Sequence, residues 1–152
     1  MAQNTSPIFV LTPSIGTPVT FTSSTTANTK SDGTGTIGTD ILKAFTAGSN
    51  GSYVSSVRFS PAASAAATAT AATTLRVFLS NKTSGSTTNA DTWLFQEIAA
   101  AAQTADQTTT ATYYLEVPIN RIIPASYTIL VSSHIALNAN TMWQAIVFGG
   151  DY

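Results

Sequence analysis

One histidine and seven carboxylates are the side chains of this sequence best suited to acid–base chemistry near neutral pH. His134 follows Ser132 and Ser133 at the end of an alternating run, with no Asp or Glu beside it. A serine nucleophile needs a base that a third group orients, and the strand–turn–helix that presents it reads G-x-S-x-G. The chain has no such elbow. A structural or exposed histidine is the simpler reading of His134, and mechanisms that need two histidines are excluded. With no cysteine, neither a disulfide framework nor a thiolate metal site can form. Glu97 and Glu116 fall in different alternating runs, and Asp40, Asp91 and Asp106 fall in turns. A glycosidase needs two carboxylates about 5–10 Å apart, usually in a cleft with exposed aromatics and further acids. Glu116 is more simply the cross-strand partner of an arginine, Arg58 or Arg76. The stretch Ser31-Asp32-Gly33-Thr34-Gly35-Thr36 lacks the G-x-x-x-x-G-K-[ST] spacing of a phosphate loop and the acids of a calcium loop, so it reads as a flexible loop. The N-x-[ST] triplets at Asn4, Asn50 and Asn81 are expected by chance in a chain this rich in Ser and Thr. No catalytic, cofactor-binding or metal residue is assigned, and an enzyme is not expected.

Composition points the same way. Charged residues are 9% of the 152 positions and the net charge is -1, against roughly 25% charged in ordinary globular domains. Six scattered cations make no basic stripe, which disfavours nucleic acid as a partner. No run reaches the roughly 18 apolar residues of a membrane span, and Met1 to Val10 lacks the pattern of a signal peptide. The chain has 27 threonines, 17 serines and 23 alanines. Hydroxyls hydrate a surface without charge and are cheaper to cover than ions, so the composition suits a protein that ends up assembled and equally a Thr-rich exposed β-surface.

The elements that would position any site are strands. Seven segments alternate with period two from Thr39 onward. They lie around Ile41–Ala47, Tyr53–Ser60, Leu75–Ser80, Trp93–Ile98, Tyr113–Val117, Tyr127–Ser132 and Met142–Phe148. They are rich in β-branched and aromatic residues and bounded by Gly, Pro, Asn and Ser. Ser55-Ser56 is a candidate bulge that brings Val54 onto the face of Val57 and Phe59. Pro61, Pro118 and Gly149-Gly150 read as strand ends. Several runs are apolar on both faces, which suits strands covered on both sides. The expected fold is an all-β antiparallel sandwich, jelly-roll-like, with about eight strands over residues 39–152. The alanine-rich runs Ala62–Ala72 and Ala99–Ala105 carry no amphipathic stripe and are expected as loops or one short helical turn.

Residues 1–38 read as an extended N-terminal arm with one or two short strands. Ile8-Phe9-Val10-Leu11 and Pro18–Thr22 are its apolar pieces, and Ser23 to Gly38 is polar, without period. One later segment is odd for a loop: Val117-Pro118-Ile119-Asn120-Arg121-Ile122-Ile123-Pro124 sets three isoleucines between two prolines. It either tucks into the core or forms an apolar contact for a neighbour.

The alternating half has a familiar texture. Tyr53–Phe59 leading to Pro61-Ala62, Leu75–Asn81, the Ile122-Ile123-Pro124-Ala125 turn, Tyr127–Val131 and the ending Trp143-Gln144-Ala145-Ile146-Val147-Phe148-Gly149-Gly150-Asp151-Tyr152 together resemble the small β-sandwich virion proteins of tailed bacteriophages, of the capsid decoration or cement type. The resemblance covers roughly Thr39 to Tyr152, and its most specific piece is W-x-x-x-x-F-G-G-D-Y. It implies a non-enzymatic protein without cofactors, made in the host cytoplasm. Such a protein binds the outer surface of the major capsid protein shell and self-associates, with a homotrimer matching three-fold sites. Neither nucleic acid nor membrane is implied as a partner. The candidate contacts are then Ile8, Phe9, Val10, Leu11 and Phe21 of the arm, and Ile119, Arg121 and Ile122. The alternative is a head-fibre or tail-associated adhesion module for host-surface carbohydrate. For that reading Trp93, Trp143, Tyr113 and Tyr114 would cluster in an open groove.

Overall fold

The structure is a computed structural model that describes residues 12–64, 68–105 and 113–152. Each of the seven alternating runs forms a strand: β4 (Leu42–Thr46), β5 (Ser52–Ala63), β7 (Thr73–Ser80), β9 (Thr92–Ala100), β11 (Leu115–Ile123), β12 (Thr128–Ser133) and β13 (Thr141–Asp151). Two more, β1 (Thr12–Ile15) and β2 (Val19–Phe21), lie end to end along one side of β13, parted by Gly16–Pro18. One sheet runs β1/β2-β13-β5-β11, the other β4-β12-β7-β9. All these pairings are antiparallel. Most connections cross from one sheet to the other, and only β7 and β9 are consecutive neighbours within one. The inner faces bury a common core around Trp143, Phe59, Phe21, Leu75, Val77 and Val147. The result is a two-sheet β-sandwich.

The Ser55 bulge is where the sequence places it. Phe148 pairs with Ser56 and Gly149 with Val54, which leaves Ser55 as the extra residue on β5. The phase shift lets Val54 and Val57, three apart, both point into the core. On its other side β5 meets a second irregularity at the same level. Ile119 and Asn120 of β11 face the single Ser55, with Asn120 at φ 48°. The bulge also explains Gly149, which does not end its strand. A Cβ there would lie 2.4 Å from the Tyr53 carbonyl oxygen, so only glycine fits and β13 continues to Asp151.

The prolines expected to stop strands sit inside them. Pro61 lies in β5 opposite Trp143, beyond the last residue that β5 pairs with β11. Pro118 lies in β11, an edge strand bonded on one side only. A missing N–H costs nothing where no partner strand needs it. The alanine runs are not helical in their described parts. Ala62 and Ala63 extend β5, Ala99 and Ala100 extend β9, and Thr68–Ala69 (β6) pairs with Thr104–Ala105 (β10) in a small ribbon.

The largest revision concerns the arm. Ile8 to Leu11 lie outside the described residues, but residues 12–38 are built into the body. Phe21 pairs with Trp143 and is fully buried. The polar stretch after it folds over the outer face of the second sheet, where Ile37 packs against a small second core of Ile41, Phe78 and Leu130. This is why β7 and β12 are apolar on both faces. Hydrogen bonds to backbone carbonyls hold this stretch. Asn28 donates from its backbone N–H to Ser133 O (2.9 Å) and from its side chain to Thr34 O (3.2 Å). Thr87 Oγ1 donates to Gly33 O at 2.7 Å, beside the ribbon of Gly35–Thr36 (β3) with Ser86–Thr87 (β8). Such bonds have no period, so the stretch reads as loop in sequence although it is fixed.

Candidate functional site

The groups that could do chemistry are tied into the scaffold. Glu116 meets Arg58 Nη2 at 3.1 Å across β11 and β5 and accepts from Ser56 Oγ at 2.6 Å. These two bonds, Ser56's contributing the more, hold its carboxyl below the ordinary glutamate value. Glu97 pairs with the buried Arg76 across β9 and β7. Asp91 accepts from the Thr88 backbone N–H at 2.8 Å, which lowers its pKa, with smaller contributions from Thr92, Thr88 and Lys82. Asp32 is lowered by the Thr34 N–H. Asp40 accepts from Thr36 N and Asp151 from Ser52. Among the described residues no three His, Asp or Glu gather as metal ligands would.

His134 sits beside a donor. Arg76 Nη2 is 3.0 Å from Nδ1, and a guanidinium has only protons to give. Nδ1 therefore accepts, and Nε2 carries the ring proton. A triad needs the reverse, with Nδ1–H held by a carboxylate and Nε2 free to take a proton. The same guanidinium donates from Nη1 to Asn28 O at 2.7 Å. Arg76 thus joins the edge strand β9, the covering stretch and His134, and that is a structural role.

The four aromatics named for a sugar groove do not gather. Trp143 is fully buried, and Tyr113 meets it edge-on with centroids 6.2 Å apart. Trp93 stacks on Tyr127 at 6.3 Å and 16°. Tyr114 lies under the Arg58 guanidinium, 4.4 Å from ring to cation. One open hollow of about 320 Å³ lies between Ser14–Thr17 and Lys43–Thr46, and neither an acid nor a histidine lines it.

What the fold leaves outside is an apolar edge. β9 is the last strand of its sheet, and among the described residues nothing pairs with its outer side. Its consecutive Trp93, Leu94 and Phe95 are 42%, 39% and 40% exposed. Phe95 is a bulge residue, unpaired between Leu94↔Phe78 and Gln96↔Val77. On the edge of the facing sheet, β11 exposes Ile122 (64%) with Arg121 beside it. The predicted contacts therefore divide. Ile122 and Arg121 are on the surface, whereas Phe21 and Ile119 are core residues whose side chains no partner can touch without unfolding. The Trp93–Phe95 edge is absent from the sequence prediction. Its signal was three large apolar residues in a row, which alternation cannot bury on one face.

No protein-family model matches the chain, and no curated protein matches it either.

Proposed function

We propose that this chain is a non-enzymatic structural protein of a phage virion. In this reading it is a capsid decoration protein that binds the outer surface of the major capsid protein shell and stabilises the head. The observation that carries the reading is the exposed Trp93-Leu94-Phe95 run on an edge strand whose outer side no described residue pairs with. A long apolar edge is a site of association, and association is what such a protein has to do. The engaged carboxylates and the donor-facing His134 support a scaffold over a catalyst. The resemblance of the Thr39–Tyr152 region and its W-x-x-x-x-F-G-G-D-Y ending supplies the virion context. A carbohydrate-binding adhesion module is the second reading, and the exposed Trp93 stacked on Tyr127 is what favours it.

The test is to locate the protein in intact particles by electron microscopy and to heat particles with and without it. Density spread over the head and a lower rupture temperature without the protein are expected. Density at the tail alone would overturn the capsid reading.

A further inference from the structure

We propose that β9 pairs with β9 of a second copy of this chain, antiparallel across a two-fold axis. The inference rests on the reading of the chain as an assembling protein, and it names the surface and the partner.

Four edges are available. Natural sheets block edges with proline, lysine or bulges, and three of these carry a proline or a lysine. The β1/β2 edge contains Pro13 and is broken at Gly16–Pro18. β11 contains Pro118 and the irregularity at Ile119 and Asn120. β4 contains the exposed Lys43. β9 has neither proline nor lysine, although it too is bulged, at Phe95 in its register with β7. Set against any other edge of a second copy, β9 would meet one of these blocks. Set against itself, it meets neither proline nor lysine on either side.

Charge permits the same pairing. Glu97 is the one ionisable side chain in Thr92–Ala100, and Arg76 of the same copy holds it. Two copies of β9 therefore meet without a bare like charge, which would otherwise disfavour self-pairing. Pairing about Gln96 would set Phe95 opposite Glu97, Leu94 opposite Ile98 and Trp93 opposite Ala99 of the other copy. The two four-stranded sheets would become one sheet ending in β4 on both sides, where Lys43 stops growth. Like-with-like pairing of this kind closes at two. A cyclic trimer needs two different faces meeting head to tail, so the edges favour a dimer over the trimer that three-fold symmetry suggests.

The experiment uses the full chain. Sedimentation over a concentration series should show a monomer–dimer equilibrium. Phe95→Lys, and separately Leu94→Lys, should raise its midpoint at least about tenfold, while circular dichroism and the thermal midpoint show the fold retained. Because the chain lacks cysteine, single cysteines at Leu94, Phe95 and Gln96 can be oxidised one at a time. Disulfide-linked dimer should dominate at the position on the axis. A wild-type monomer throughout, a trimer, or a dimer untouched by both lysines would overturn the proposal. Binding to phage heads is scored separately. A dimer that ignores heads leaves the β9 pairing standing and sinks the capsid reading, whereas a monomer that binds heads does the opposite.

Discussion

Arg76 and Glu97 face each other across β7 and β9, one buried and the other at the surface. The guanidinium reaches further, to Asn28 O and His134 Nδ1. Removing it strands three acceptors at once. Arg76→Met is expected to cost about 2–4 kcal/mol, because a buried network loses its only donor. Arg76→Lys should recover little, since one ammonium cannot span three partners in a fixed fork. Glu97→Gln should cost less than Arg76→Met, because the amide oxygen still accepts from Arg76 and the side chain is partly in water. Urea denaturation of the three variants checks the ranking.

Acid should weaken the fold through Glu116. Its carboxyl is held below the ordinary value of 4.5 by Ser56 and Arg58. A depressed carboxylate stabilises fully above its unfolded value, and the contribution is lost as pH falls through the folded value. Asp91 and Asp32, lowered from 3.8, act with the same sign. The thermal midpoint should therefore change little on these groups' account from neutral pH down to about 4.5 and drop below it. Glu116→Gln should flatten the upper part of that acid limb. At neutral pH it should cost under about 1 kcal/mol, because the pair is over a third exposed. A limb unchanged by the substitution would mean that other carboxylates set it.

Gly149→Ala tests the bulge. The new methyl would press on the Tyr53 carbonyl of the neighbouring strand, not on a side chain that could turn away. The expected loss is about 1–3 kcal/mol, read by denaturant unfolding. An alanine tolerated without loss would mean that the β5 bulge relaxes freely.

Much of this fold was legible because burial imposes a period. The spacing of Val54 and Val57 announced the bulge, and the seven runs announced seven strands. Position within a sheet has no such local mark. Trp93-Leu94-Phe95 reads like Ile129-Leu130-Val131, yet the first lies on an edge and the second in central β12, covered on both faces. Pro61 and Pro118 looked like stops because an edge proline and a terminal proline share one local sequence. The covering stretch hid for another reason. Asn28, Thr34 and Thr87 hold it by polar bonds to backbone, which leave no hydrophobic rhythm. The exposed β9 edge depends on strand order, so it became visible only once the sheets were assembled.

That fixed stretch gives a last test, and it changes what an arm would predict. A strap that orders only on a shell would be cut readily in free protein. Here Lys30 follows Asn28, whose backbone is bonded to Ser133 and Arg76, and Asn28 Oδ1 accepts from the Lys30 N–H at 2.8 Å. A protease needs several residues extended in its cleft, which these bonds prevent until the stretch lifts. Native trypsin digestion of the free protein should leave the Lys30–Ser31 bond intact far longer than the same bond in unfolded chain. Arg76→Met removes the bond to Asn28 O and should expose Lys30 under conditions where the body still shows its native circular dichroism. Mass spectrometry of the fragments reads both results. Rapid cleavage at Lys30 in the wild type would show that the cover opens on its own and that the outer face around Phe78 and Leu130 is free to meet a partner.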